Sequence, residues 1–189
     1  MLMNKINESF FQNFPQIKTK RLLLRSLLAE DAKEVFRMRA NSRVNQFIGR
    51  ENMETEKSAE ELIERTLQAY QNKQAIAWAG YHPELNQIIG TCGLMHIEAI
   101  NRRAEIGGEM WVDYWGKNLA LEAVSAIVEF GFEKLNLHSI EAKVSPKNRG
   151  AIAILTHLGF EQEAYFKDRF FHHDKYHDLV IYTCINTPT

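Results

Sequence analysis

The sequence predicts a single α/β or α+β domain with a mixed β-sheet, and three observations support this fold class. Segments with the pattern of strands alternate along the chain with segments that have the pattern of helices. The 189 residues are 45% hydrophobic and 25% charged, which suits one globular domain with a sizeable core. Because there are only four prolines, no low-complexity segment and no internal repeat, we expect no linker within residues 1–189.

Charge and cysteine content argue against several other classes of protein. The formal net charge of −1 provides no basic field for nucleic acid, so any anionic ligand must be held locally. Cys92 and Cys184 fit no metal-ligand spacing, and we expect free thiols. Residues 1–14 lack the apolar core of a signal peptide, and no apolar run is long enough to span a bilayer. We therefore expect a cytoplasmic protein without a nucleic-acid or membrane partner, and a homodimer is left open.

The first half of the chain carries the patterns of two helices and three strands. Apolar residues recur at helical spacing from Ala29 to Arg39, which predicts the first helix. Ser58 followed by Glu61 is the pattern of a capping box and predicts the start of a second helix. Short apolar runs predict strands at 21–25, 75–81 and 88–96.

The second half is predicted to contain two further helices and four strands. Two adjacent glycines in AEIGGEMWV, residues 104–112, indicate a β-bulge or a close backbone approach. Apolar residues cover most of the helix predicted at 118–134, so we expect it to be deeply packed, with Glu122 on its solvated side. Gly159 is expected to end a helix over 148–158 in the left-handed conformation. The remaining strands are predicted at 139–144 and around 161–170 and 178–185.

The strand, turn and helix within 104–134 suggest a ligand site. Free amides in the first turn of the helix, together with its dipole, would favour a diphosphate, and Lys117 could add a positive charge. A weakened strand could pair with an extended, amide-containing ligand. Coenzyme A combines both features. A plain packing unit of strand, turn and helix fits these residues equally well.

Three longer stretches resemble one known family. They occur in the family's order and read AEIGGEMWVDYWGKNLALEA, FGFEKLNLHSIEAKVSPKN and LTHLGFEQEA. They resemble the GNAT acyltransferase superfamily, specifically the RimJ/RimL type of N-acetyltransferase, which includes ribosomal-protein-alanine acetyltransferases. The resemblance covers about 17–186 and implies a mixed, mostly antiparallel central sheet, splayed at strands 4 and 5 and flanked by helices. It also implies transfer of the acetyl group of acetyl-CoA to a primary amine, on a protein N-terminus or a small molecule, without a metal.

The resemblance also implies a set of cofactor-binding residues. Backbone groups of the strand end would pair with the pantetheine arm, and the pyrophosphate turn would fall on Trp115 to Ala120. Asn118 stands where the family has glycine, but it is expected to be tolerated because the turn binds through backbone amides and Asn suits strained backbone conformations. Asn148 would contact the cofactor arm or hold the split open. The expected residues are Met110, Trp111, Val112, Trp115, Gly116, Lys117, Asn118, Leu119, Ala120, Asn148, Ala151 and Leu155.

A carboxylate is needed to remove the proton of the acceptor ammonium, directly or through water. Glu105 is the first candidate and Glu109 the second, since strand alternation places both on one face. A structural ion pair is an equally good interpretation of each residue. The backbone N–H of Met110 or Trp111 could stabilise the oxyanion.

The hydroxyl groups expected of a general acid are missing. Leu155 occupies the position of the tyrosine that many family members use, and Ala151 occupies that of a common serine. Tyr165 and Tyr182 are alternative donors. The absence of both hydroxyls motivates the alternative function, a catalytically weak acyl-CoA-binding or sensing module.

Two other groups of residues invite functional interpretation. The segment FHHDKYHD at 171–178 is rich in metal-ligand side chains, but a turn between the last two strands is favoured, and no metal is expected. Arg37, Arg39 and Arg43 are predicted to form a solvated face, although the loop after the first helix usually lines the acceptor cleft in the resembling family.

Overall fold

The computed structural model describes residues 5–187, which form one eight-stranded sheet flanked by helices. The strands are β1 (Ile17–Lys18), β2 (Leu23–Ser26), β3 (Ile76–His82), β4 (Gln87–Glu98), β5 (Arg103–Met110), β6 (Ser139–Val144), β7 (Glu161–His172) and β8 (Lys175–Ile185). The helices are α1 (Ala32–Arg39), α2 (Ser42–Asn45), α3 (Glu56–Gln71), α4 (Leu119–Glu129) and α5 (Arg149–His157). Within residues 5–187, no helix combines the length and hydrophobicity required to cross a bilayer.

The sheet has the order β1-β2-β3-β4-β5-β6-β8-β7, and β5 with β6 is its parallel pair. That pair extends only from Arg103 opposite Ser139 to Glu105 opposite Glu141. Beyond these residues the two strands separate, while β4 continues to pair with β5 as far as Met110. The predicted mixed, mostly antiparallel sheet with a splay is therefore confirmed. The splay lies between the fourth and fifth strands when the two-residue β1 is not counted.

The hydrophobic core lies on both faces of the sheet. Side chains such as Trp78 and Ile106 belong to the larger cluster, which also contains Ile127 of α4. Ala79 belongs to the smaller cluster with α1 and α3, because neighbouring strand residues point to opposite faces. The larger cluster therefore fixes α4 against β5, next to the splay.

The structure corrects one local prediction and decides between two alternatives for another. Helix α3 begins at Glu56 rather than at Ser58, because the Thr55 hydroxyl caps it by accepting the Ser58 N–H at 3.1 Å. The paired glycines do not form a bulge. Gly108 instead allows a close approach, since a Cβ there would lie 2.6 Å from the Thr91 carbonyl oxygen.

Burial affects the chemistry of Cys92, which lies on β4. Burial raises the pKa of its thiol to about 12, so only about one molecule in ten thousand carries the thiolate at pH 8. We predict that iodoacetamide will leave Cys92 unmodified in the native protein at pH 8 but will label it in urea, as measured by peptide mass spectrometry. Labelling at similar rates in both states would contradict this prediction.

Candidate active site

A cleft of about 1100 Å³ opens where β5 and β6 separate. Its walls are β3 to β6, α4 and α5, together with the loop between α2 and α3. Phe170 of β7 and Leu179 of β8 also contribute. The cleft therefore connects the turn before α4 with a chamber near the end of α1.

The open edge of β5 presents backbone groups to this cleft. The Trp111 N–H donates to the Ile89 carbonyl at 2.9 Å, on the β4 side. Because backbone groups alternate sides along an antiparallel ladder, those of Gly108 and Met110 are directed towards the side where β6 has moved away. The Met110 carbonyl accepts the Trp115 indole N–H at 2.9 Å. Gly108 and Met110 thus offer the strand edge that the amide-bearing arm of a ligand requires.

Of the three strand-end residues expected at the cofactor, Trp111 and Val112 are used within the protein. The Trp111 carbonyl accepts the Tyr114 N–H at 3.0 Å, and the Val112 carbonyl accepts the Trp115 N–H at 3.2 Å. Since the Trp111 N–H also points away from the opening, Met110 is the backbone donor that faces the cleft.

The turn before α4 has the backbone of an anion site. Gly116 has a φ of +72° and Asn118 has a φ of +58°, so the backbone of both residues adopts the left-handed conformation. The first helical hydrogen bond runs from the Glu122 N–H to the Asn118 carbonyl at 3.1 Å, which leaves the preceding amides without helical partners. Leu119, Ala120 and Leu121 carry those amides and line the cleft. The left-handed asparagine agrees with the conformation expected for it.

Glu122 anchors this turn to the N-terminal strands. Its carboxylate accepts the Thr19 hydroxyl at 2.6 Å and two N–H groups of Arg21, each at 2.7 Å. The guanidinium of Arg21 also donates to the Lys117 carbonyl at 3.0 Å. Burial opposes ionisation, but the hydrogen bonds from Thr19 and Arg21 lower the pKa of Glu122. Its predicted solvated position was wrong, because Thr19 and Arg21, between β1 and β2, cover its carboxylate.

We predict that Glu122→Gln will lower the melting temperature by about 4–8 °C, from a loss of about 2 kcal/mol. Because folding lowers the pKa of Glu122, its contribution is present above the ordinary value of 4.5 and is lost as pH falls through the folded value. The difference between wild type and variant should therefore shrink in acid. Glu129→Gln, on an exposed position of the same helix, is the control. A difference in melting temperature that stays constant across the pH range would contradict the assignment of this stabilisation to the Glu122 carboxylate.

Helix α5 forms the opposite wall. Asn148 caps the helix, and its side-chain oxygen accepts the Ala151 N–H at 3.1 Å. Asn148, Ala151 and Leu155 all line the cleft. Apart from Trp111, Val112 and Lys117, the structure thus brings every expected cofactor residue to one cleft.

Several lining residues were missed by the sequence analysis. Tyr114 lies in the turn, and its hydroxyl accepts the Gln87 side-chain N–H at 2.5 Å. Val124 follows Ala120 at helical spacing, and Ile154 follows Gly150, so helical periodicity was the available signal.

The two alternative acids lie outside the cleft lining. Tyr165 is exposed and donates to Asp178, a hydrogen bond that raises the pKa of the phenol. Tyr182 donates to Gln162 at 3.3 Å. Among the described residues, the hydroxyl-bearing residues that line the cleft are Thr66, Thr91, Tyr114 and Ser145.

Glu105, the first candidate base, lies where β5 and β6 are still paired. Its side chain is 15% exposed, and its Oε2 accepts the Lys143 ammonium at 2.6 Å and lies 3.2 Å from His96 Nδ1. The hydrogen bond to Glu105, opposed by burial, raises the pKa of Lys143. Glu105 itself does not line the cleft, although its partner Lys143 does, and this arrangement favours the interpretation of Glu105 as a structural ion-pair residue.

Glu109, the second candidate, lines the cleft and is only 3% exposed. Its Oε1 accepts Arg39 Nε at 2.6 Å and the Thr91 hydroxyl at 3.3 Å, while Oε2 forms an ion pair with Arg50. These three donors leave about one of the four acceptor positions of a carboxylate unused. The predicted solvated position of Arg39 was wrong, because the guanidinium turns inward to Glu109.

The histidine-rich segment forms the end of β7, a turn and the start of β8. Glu51, His172 and His173 each offer one ligand atom, and these atoms lie within 4.8 Å of one another. Glu51 is exposed, and its carboxylate lies 3.3 Å from His172 Nε2. This contact brings the α2–α3 loop against the β7–β8 hairpin.

A splayed sheet with an amide-lined turn at the head of its cleft can hold a ligand that combines a diphosphate with an amide-bearing arm. The profile of the family described as "Acetyltransferase (GNAT) domain" matches residues 21–161. The chain therefore belongs to the GNAT acetyltransferase family, and it is an acetyltransferase.

Known proteins support this assignment. The chain is 31% identical over 172 residues to "Uncharacterized N-acetyltransferase YoaA" of Bacillus subtilis (strain 168), which covers 91% of this chain and 97% of that protein. A solved GNAT acetyltransferase from Bacillus anthracis superposes with a TM-score of 0.79 at 25% identity, over 90% of this chain and 98% of that one. The RimL ribosomal L7/L12 α-N-protein acetyltransferase, solved in complex with coenzyme A, has a TM-score of 0.83 at 16% identity, over 90% and 98% of the two chains.

Proposed function

We propose that this chain transfers the acetyl group of acetyl-CoA to a primary amine, on a protein N-terminus or a small molecule. The observation that carries the proposal is one continuous cleft with three parts. Free amides stand at the start of α4, an open strand edge follows, and the buried carboxylate of Glu109 lies beyond it. This order matches the diphosphate, the amide-bearing arm and the reacting end of acetyl-CoA.

The residues present fit that ligand. The amides of Leu119, Ala120 and Leu121 would hold the pyrophosphate, because they are unpaired and lie at the positive end of the α4 dipole. Backbone groups of Gly108 would pair with the pantetheine arm, which leaves the Met110 N–H available for the acetyl end.

The chemistry is a direct attack of the amine on the thioester. The amine nitrogen forms a bond to the carbonyl carbon, the carbon–sulfur bond breaks, and coenzyme A leaves as a thiolate, which then takes up a proton released by the amine nitrogen. Of the two candidate carboxylates, Glu109 is the one at the cleft, and its remaining acceptor position is available for the proton of the amine. The Met110 N–H is the candidate donor to the developing oxyanion.

A second function is favoured by the missing hydroxyls. Leu155 and Ala151 line the cleft where many related enzymes place a general acid or a serine, and Tyr165 and Tyr182 lie elsewhere. A catalytically weak acyl-CoA-binding module would retain the cofactor cleft without efficient turnover.

One experiment separates the two functions. Release of free coenzyme A from acetyl-CoA is measured across a panel of amines, and coenzyme A binding is measured in parallel by calorimetry. Amine-dependent release, with the acetylated amine identified by mass spectrometry, is the expected result. Tight binding without release from any amine would support the binding module instead.

A further inference from the structure

The chamber at the far end of the cleft contains two guanidiniums and one carboxylate. Arg39, at the end of α1, and Arg50, in the α2–α3 loop, both contact Glu109. Each arginine side chain is 24% exposed and lines the cleft. We refer to Arg39 and Arg50 as the guanidinium pair.

A buried asparagine orients the Arg50 guanidinium and anchors the backbone of Arg39, whose guanidinium is held by Glu109. Asn45 is 5% exposed, and its side-chain oxygen accepts Arg50 Nε at 2.9 Å and Nη2 at 2.7 Å. Its amide nitrogen donates to the Arg39 carbonyl at 2.6 Å and to the Asn52 side chain at 2.8 Å. Because both arginines are positioned before any ligand arrives, binding to them costs little conformational entropy.

The guanidinium pair carries more positive charge than its surroundings neutralise. Within residues 5–187, Glu109 is the carboxylate in ion-pair contact with either guanidinium. Glu51, which also borders this region, is exposed and turns to His172. Burial lowers the pKa of Arg50, Glu109 opposes this effect, and the charge of Arg39 lowers the pKa further. A second anion would therefore be stabilised here.

Several donors of the guanidinium pair have no partner among the described residues. Arg39 uses only Nε, so its two terminal nitrogens are available. Arg50 uses Nε and Nη2, so Nη1 is available. Planar N–H donors of this kind match a carboxylate, which can accept two parallel hydrogen bonds.

We propose that the acceptor amine carries a carboxylate, which binds to the guanidinium pair while the amine lies beside Glu109. This inference rests on the proposed function and narrows its substrate class. Free amino acids and peptides with an acidic residue near the N-terminus share this chemistry. A polyamine does not, because its additional cations would meet Arg39 and Arg50.

The test compares acceptors that differ only in the carboxylate. Glycine, β-alanine and 4-aminobutanoate are each paired with the corresponding amide, and Ala-Asp peptides with a C-terminal amide are paired with Ala-Asn peptides. Rates are corrected for the fraction of unprotonated amine. We expect kcat/KM to be at least about tenfold higher for the carboxylate in one or more pairs, and spermidine to be at least about tenfold poorer. The acceptor pair with the largest carboxylate-to-amide ratio of kcat/KM shows whether the preferred acceptor is an amino acid or a peptide.

Variants identify the residues responsible. Arg50→Gln and Arg39→Gln should reduce the carboxylate-to-amide ratio of kcat/KM to below about threefold. Arg50→Lys keeps the charge but loses the planar set of N–H donors, so it should give an intermediate ratio. Arg43→Gln is the matched control, because Arg43 is exposed and outside the cleft lining. Melting temperature and coenzyme A affinity establish that each variant is folded.

A binding measurement separates this inference from the proposed function. Butyrate and butyramide are titrated into the protein loaded with coenzyme A. Butyrate should bind at least about tenfold more tightly, and Arg50→Gln should remove the difference. If no amine is acetylated, the proposed function fails, but Arg50-dependent binding of butyrate still supports a carboxylate site. Equal rates for acids and amides, or preferred acetylation of spermidine, would overturn the inference and leave the acetyltransferase assignment intact.

Discussion

Glu109→Gln is expected to lower kcat/KM for the best acceptor by about 100-fold, within the usual range for loss of a general base. Glu109 is the carboxylate that reaches the cleft, and one of its acceptor positions is not taken by Arg39, Arg50 or Thr91. The neutral amide keeps the size of the side chain but cannot accept the proton of the amine. The measurement is steady-state release of coenzyme A, together with calorimetric binding of coenzyme A, which should change by less than about threefold.

Glu105→Gln is the matched control for this experiment. Glu105 lies on the same strand and the same face, but it pairs with Lys143 before β5 and β6 separate. We expect its kcat/KM to remain within about threefold of wild type. A large decrease in kcat/KM for Glu105→Gln, with little change for Glu109→Gln, would reverse the assignment of the base. A lower melting temperature of Glu109→Gln would instead indicate that the contacts with the two arginines have collapsed. Glu109→Asp, which retains the charge, then tests the base.

Secondary structure was predicted closely where the local pattern is decisive. The strand predicted at 139–144 is observed as Ser139–Val144, and the helix predicted at 148–158 is observed as Arg149–His157. The helix has clear boundaries, namely the Asn148 cap and the left-handed Gly159. Two short elements, β1 and α2, were missed, because segments of two and four residues carry no measurable period.

The side-chain contacts of the site could not be predicted in the same way. Arg39 and Glu109 lie 70 positions apart, and no local pattern indicates that they meet. Arg39 fits the polar side of an amphipathic helix, which is why a solvated face was predicted. The contact exists because α1 ends above the open side of β5, and only the packed structure establishes that relation.

The direction in which the N–H and carbonyl groups of a strand point could not be predicted from the sequence either. Trp111 and Met110 are neighbours, and both were candidate donors to the oxyanion. The pairing of Trp111 with Ile89 decides that Met110 faces the opening. A register shift of one residue would reverse this result, and register depends on β4 as much as on β5. The backbone conformation of Asn118, by contrast, could be predicted, because the preference of asparagine for the left-handed region is local.

Asn118→Val is expected to weaken coenzyme A binding by about 30-fold, whereas Asn118→Gly should preserve or tighten it. The φ of +58° at this position suits glycine, is accessible to asparagine, and costs a β-branched residue about 2 kcal/mol. A valine would therefore shift the turn towards conformations that no longer point the amides of Leu119 and Ala120 at the cleft. The measurement is calorimetric binding of coenzyme A to both variants.

The glycine variant is the control for the loss of the asparagine side chain, because both substitutions remove the amide but only valine restricts the backbone. Asn118 makes no side-chain cap hydrogen bond in α4, so removing its amide should not weaken the helix. Weak binding in both variants would mean that the asparagine amide contacts the ligand, and the backbone account of the pyrophosphate turn would be wrong. Normal binding in Asn118→Val would show that the left-handed turn is not required for the site.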